Sequence, residues 1–278
     1  MTMPITTDGT TTAGLVTTST ARPIDSQRRR RRGTVIPLLG MELRLIRREP
    51  MMFVGLVIFP VITMVILQGV FGSIPDPEFG GMAPTDFYLA SYVGIVLAAM
   101  GLMILPVHLA GHRESGVLRR FQAAGVSPAQ TVLAEAALAL VLSIAAAALI
   151  VATGALAYGV KAPENPAGVV GWFVVGACCF AAIGGALGLL APTARSDQAI
   201  GTMVYLPAFL LGGGGPPRAV MTGPMQAIGD VLPLTHITSG LQQAWLGRAN
   251  GPSNVWWPLL ATAIAMLIMV LAVRRSEA

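Results

Sequence analysis

Few residues in this 278-residue chain could do chemistry, and several of them share one short stretch. His108 and His112 are four apart, so on a helix they occupy one face, the spacing that a two-histidine zinc site uses. A zincin also places Glu directly after the first histidine. Leu109 stands there instead and Glu114 is a poor substitute base, so ordinary interfacial histidines are expected and no metal site. His236 and Ser239, in "HITSGLQQ", lack the glycine elbow that frames a nucleophilic serine. ATP hydrolysis needs a glycine-rich turn whose amides cradle phosphates, followed by a lysine that reaches them. The only lysine, Lys161, stands in "GVKAPE", and "GGGGPP" at 212–217 has no lysine after it. No catalysis is therefore expected from this chain by itself, and no cofactor in it; any ATPase must be a separate polypeptide. Cys178 and Cys179 are adjacent and flanked by apolar residues, which suits packing and not a disulfide.

The elements that would hold these residues are membrane elements. The chain is 54% hydrophobic and 11% charged, with mean hydropathy +0.70, against roughly 25% charged residues in an average soluble domain. Taking about 20 apolar residues per crossing, six spans are expected: 51–72, 87–107, 136–158, 167–190, 199–217 and 256–273. None has Asp, Glu, Lys or Arg at its centre; Glu135 and His108 sit only at edges. Ion coupling, which wants a titratable group inside the helices, is disfavoured. The fifth span is expected to bend or stop early, because Pro207, four glycines and two prolines fall in it.

Basic residues set the orientation. With both termini inside, the N-terminal tail, the second and fourth connections and the C-terminal tail hold fifteen of the eighteen. Only Lys161, Arg218 and Arg248 fall outside. Residues 1–33, rich in Thr and Ser and ending in "QRRRRRG", read as a disordered basic cytoplasmic tail, and 34–278 as a six-helix membrane domain. Anionic lipid explains the arginine run more simply than nucleic acid. No secretory signal is expected at the N-terminus, since the first apolar run starts near Met51 and is long. Residues 35–49 space Val35, Leu38, Leu39, Leu43 and Ile46 at near-helical intervals between Glu42, Arg44, Arg47 and Arg48, as a surface helix on the inner leaflet does. Residues 218–255 are too polar to cross yet carry apolar anchors, so short helices dipping in from the outside are expected. Gly184 and Gly188 form a small-residue face for close helix packing, within the chain or between copies. Trp245, Trp256 and Trp257 are expected as outer interfacial anchors.

The charged interruption at 108–130 then lies inside, between the second and third spans. The positive-inside rule accounts for its arginines but not for Val117, Leu118 and Phe121 along one side of a short helix at 116–124, which suits docking on a protein partner.

Here the sequence resembles the type-2 permeases of ATP-binding-cassette exporters. Glu114-Ser115-Gly116-Val117-Leu118-Arg119-Arg120-Phe121, followed by Gly125-Val126-Ser127-Pro128, is similar to the pattern of that family's first cytoplasmic loop, with Val117 where threonine is often found. The stretch 210–247, "LLGGGGPPRAVMTGPMQAIGDVLPLTHITSGLQQAWLG", resembles the family's glycine and proline break, its external re-entrant helices and its "lPlth" element. The resemblance covers roughly 34–275. It implies an all-α, multi-pass permease of the inner (plasma) membrane, with cytoplasmic termini and re-entrant helices between the fifth and sixth spans. This permease would pair with a second one, a copy or a related chain, and with two copies of an ATPase subunit that hold ATP and Mg. Residues 112–124 would be the coupling helix, with Arg113, Glu114, Gly116, Leu118, Arg119, Arg120 and Phe121 at the ATPase. Residues 35–49, including Glu42, Arg44, Arg47 and Arg48, would be the connecting helix. A small hydrophobic or amphipathic compound of drug or antibiotic type is the expected cargo. The alternatives are a lipid or lipid-linked glycan, or a carrier or membrane enzyme acting alone.

Overall fold

The computed structural model describes residues 50–247 and 253–277, together with Gly40. The basic tail at 1–33 and the expected connecting-helix residues Glu42, Arg44, Arg47 and Arg48 lie outside the described residues. Within them the chain is helical and forms no strand, in keeping with an all-α integral membrane protein. The order is α1 (Pro50–Phe71), α2 (Pro84–Ala99), a π-helical stretch (Met100–Ile104), α3 (Leu105–Glu114), α4 (Val117–Ala123), α5 (Pro128–Tyr158) and α6 (Pro166–Leu190). Then come α7 (Ala194–Phe209), a second π-type turn (Leu210–Gly214), α8 (Gly223–Val231), α9 (Pro233–Trp245) and α10 (Ser253–Glu277).

The starts are written locally. Proline opens α2, α5, α6 and α9, where a missing N–H costs nothing. Ser127 with Gln130 closes a capping box at the head of α5, and Thr193 with Ser196 does the same for α7.

Among the described residues four stretches are long and apolar enough to cross a membrane: Pro84–Glu114, Pro128–Tyr158, Pro166–Leu190 and Val255–Arg274. A shorter apolar helix, Ile58–Phe71, accompanies them. The first of the four is the axis of the molecule, with 83% of its apolar stretch buried against 11% for α10. Tyr88, Leu89, Tyr92, Ile95, Met100 and Leu105 are all fully buried. A helix apolar on every side can be core, and here it is.

The π-helical stretch shifts the register in the middle of this axis, and two neighbours close onto it at glycines. A Cβ on Gly184 of α6 would overlap the Gly101 carbonyl oxygen, and one on Gly201 of α7 the Leu102 carbonyl oxygen. A Cβ on Gly188 would likewise come within 2.9 Å of Pro106 Cα and O. The small-residue face of α6 thus packs within the chain.

The second and third expected spans are longer than hydropathy alone drew them: the helix of the second runs on to Glu114, and that of the third begins at Pro128. The fifth differs more. α7 stops at Phe209, and the backbone breaks with Gly213 at φ 107, a value that favours glycine. An unwound segment in a membrane protein must find donors for its carbonyls. Thr238 Oγ1 donates to Gly212 O at 2.6 Å, Tyr92 Oη to Gly214 O at 3.3 Å and Tyr88 Oη to Gly215 O at 3.3 Å. Gln242 Nε2 adds a bond to Ser91 Oγ at 2.7 Å. The helix that brings Thr238 and Gln242, α9, is re-entrant: Leu234, Ile237 and Leu241 are buried against α2 and α6. Trp245 is correspondingly a core residue and no interfacial anchor, while Trp256 is 67% exposed.

Candidate functional site

The end of the bundle that carries Arg113, Arg119, Arg120, Arg195 and Arg274 gathers the residues singled out from the sequence. α3 extends the axis helix to Glu114. Gly116, in the left-handed conformation at φ 70, turns the chain into α4, and Gly125 at φ 85 turns it out again toward α5. Two tight glycine turns therefore hang a seven-residue helix between two bundle-length helices.

Arg113 and Glu114 do not point away from the bundle. Arg113 Nη1 donates to the Leu189 carbonyl at 2.7 Å, in the last turn of α6. Glu114 Oε1 accepts from the Ala194 amide at 3.0 Å, the first residue of α7. A cation at one helix C-terminus and an anion at the next helix N-terminus each complement a helix dipole and satisfy a backbone group left over there. The pair spans the short α6–α7 connection, so the junction after α3 is tied to both helices. Asp197, one turn into α7, is 0% exposed, and neither of its carboxylate oxygens has a hydrogen-bond partner among the described residues. The cationic influence on it comes from Arg113.

A second polar cluster lies one turn deeper. Glu135 of α5, 2% exposed, stands between the two histidines of α3: His108 Nδ1 is 3.5 Å from its Oε2 and His112 Nδ1 3.4 Å from its Oε1. Among the described residues, no three His, Cys, Asp or Glu side chains are grouped as a metal site. The His112 ring meets Phe121 edge-on, centroids 6.4 Å apart. Phe121 also packs on Val126 and Ala134. Its ring thus fastens α4 to α3 and α5 and is half-buried, whereas Arg119, Arg120, Gln122 and Ala123 are the exposed positions of α4. Leu118 and Val117 are intermediate. Both arginines of this helix are thus exposed, while its apolar residues Val117, Leu118 and Phe121 are half-buried.

Sequence reasoning had the His108–His112 pair on one face and Glu135 apart from it, but nothing in the spacing shows that an acid on one helix faces two histidines on another. Asp197 was missed altogether. It sits in "TARSDQA", which reads as a solvated helix start, and it is buried where α7 packs on the axis helix and its neighbours.

Chemically the arrangement is mechanical. It offers a short helix packed on α3 and α5, with α3 tied in turn to α6 and α7. The comparison with curated proteins found no match. The family model described as ABC-2 type transporter matches residues 36–246. That range takes in the clamped junction, the glycine break and the re-entrant helix alike, and the chain belongs to the ABC-2 type transporter family.

Proposed function

We propose that the chain is the permease subunit of an ATP-driven exporter that moves a hydrophobic or amphipathic compound of drug or antibiotic type out across the plasma membrane. Two copies of a separate ATPase subunit hold ATP and Mg, and a second permease, identical or related, completes the pathway. The observation that carries this reading is the clamp at the arginine-bearing end. A push on α4 is delivered through Arg113 and Glu114 to the α6–α7 junction and through Phe121 to α3 and α5. Nucleotide-driven closure of a partner on α4 can then bias two arrangements of the bundle, which is what coupling requires. Apolar spans rich in methionine suit a loosely specified cargo.

Purification of the tagged chain from its own membranes is expected to bring an ATPase subunit with it, and the reconstituted complex to hydrolyse ATP faster when cargo is present. Glu114→Ala should insert and assemble normally yet lose most of that stimulation. Transport or catalysis by the chain alone, without ATP, would overturn the reading.

A further inference from the structure

α5 and α10 both pack on α6, and between them a groove of about 870 Å³ runs along α6. Its origin is compositional. The floor is Ala177, Cys178, Ala181 and Ala182, which recur on one face of α6 and leave the space that larger side chains would fill. The walls are long and apolar, with Leu133 and Leu140 from α5 and Met266 and Val270 from α10, all exposed. The one hydroxyl in the lining, Thr262 Oγ1, is already spent on the Pro258 carbonyl at 2.6 Å. The groove thus offers nothing polar along its length. Its volume falls within the roughly 300–1,000 Å³ of small-molecule sites.

One end breaks this pattern. There the lining includes Arg274, exposed, and Ala129 in the first turn of α5, whose helix dipole adds partial positive charge. An apolar channel closed by a cation at one end matches an anionic amphiphile lying along a helix. Arg274 stands at the arginine-bearing end, which the positive-inside rule places at the inner leaflet, where anionic lipids attract basic residues.

We propose that this groove is a specific site for one anionic phospholipid of the inner leaflet, an acyl chain over Ala177–Ala182 and the phosphate on Arg274. The assignment rests on the orientation used above but not on the cargo or on export. Ala129 lies in the first turn of α5, five residues beyond the segment 112–124 that the ATPase reading calls the coupling helix, so the groove ends close to that segment in sequence.

The test is photo-crosslinking of the full chain in nanodiscs, with phosphatidylglycerol or phosphatidylcholine carrying a diazirine in the acyl chain. Peptides covering 177–182 and 266–273 should be labelled by the anionic probe about fivefold more than by the zwitterionic one, the size expected of one basic residue near the surface. Arg274→Glu, an exposed change, should erase that preference while leaving the fold intact. Ala181→Leu should fill the floor and lower labelling by both probes. Equal labelling of the groove and of the exposed face of α1 by both lipids would overturn the proposal. So would a preference unmoved by Arg274→Glu, or oxidative Cys178–Cys178 linkage between copies in intact membranes, which would assign the groove to a second permease. None of these results depends on ATP, so a failure here is distinct from a failure of the export reading.

Discussion

Two glycines of α6, seen side by side, show how much a single residue can mean. Gly184 has no room for a Cβ, because the Gly101 carbonyl oxygen of the π-helical stretch occupies the space. Gly171 has nothing within 4 Å and an ordinary helical backbone. Gly184→Ala is therefore expected to force α6 off the axis helix at a cost near the upper end of overpacking changes, about 3 kcal/mol. Gly171→Ala should be neutral or stabilise by up to roughly 1 kcal/mol through helix propensity. Thermal unfolding of the two detergent-solubilised variants, followed by size-exclusion chromatography, separates them; similar melting temperatures would show that the axis contact is not tight. The sequence marks Gly184, four residues before Gly188, as a packing position but not what closes on it. What closes on it is the π-helical stretch at Met100–Ile104, for which "MGLMI" carries no local mark.

At the scale of elements, the break after α7 was legible and its repair was not. Four glycines and two prolines announce that a helix cannot continue, whereas the donors that satisfy the freed carbonyls come from α2 and α9, far away in sequence. Thr238→Val keeps the shape and removes the donor to Gly212, so a loss of about 1 kcal/mol is expected, the usual size for a hydrogen bond inside a membrane protein. A melting temperature equal to the wild type would mean that the segment is held by packing alone. Outside this break, Arg218 makes a two-pronged pair with Asp230, Nη2 to Oδ2 at 2.8 Å, and its guanidinium holds the Asp230 carboxyl below the usual carboxylate range. A depressed acid contributes stability that is present above the unfolded value near pH 4 and lost as pH falls through the folded one. The pair is half exposed, so its contribution is at most about 1 kcal/mol. Asp230→Asn should thus lower the melting temperature slightly at pH 7 and by less as the pH falls below about 4. A difference that grows on acidification would contradict the sign.

For the whole molecule, apolar run lengths made the spans legible, while the polar end of the bundle stayed hidden because hydropathy treats every charge as solvated. The charges of 108–130 in fact divide into two kinds. Arg113 and Glu114 are spent on helix ends and His112 faces Glu135 of α5, while Phe121 packs on α3 and α5; Arg119 and Arg120 alone among the arginines of this stretch are exposed. This division predicts two different failures. Arg119→Glu with Arg120→Glu changes only solvated positions, where substitutions usually shift stability by no more than about 0.5 kcal/mol. The melting temperature should hold, while capture of the ATPase subunit drops severalfold and falls more steeply with salt, as steering by exposed charge requires. Phe121→Ala instead removes a half-buried ring between α3 and α5, so melting temperature and ATPase stimulation should fall together, by part of the 3–5 kcal/mol that a fully buried phenylalanine costs. Both variants can be scored on one preparation by pull-down across a salt series and by thermal unfolding. Should the double arginine variant bind normally while Phe121→Ala loses the ATPase without losing stability, the partner must read the apolar side of α4, and the helix would have to swing out of its seat to be bound.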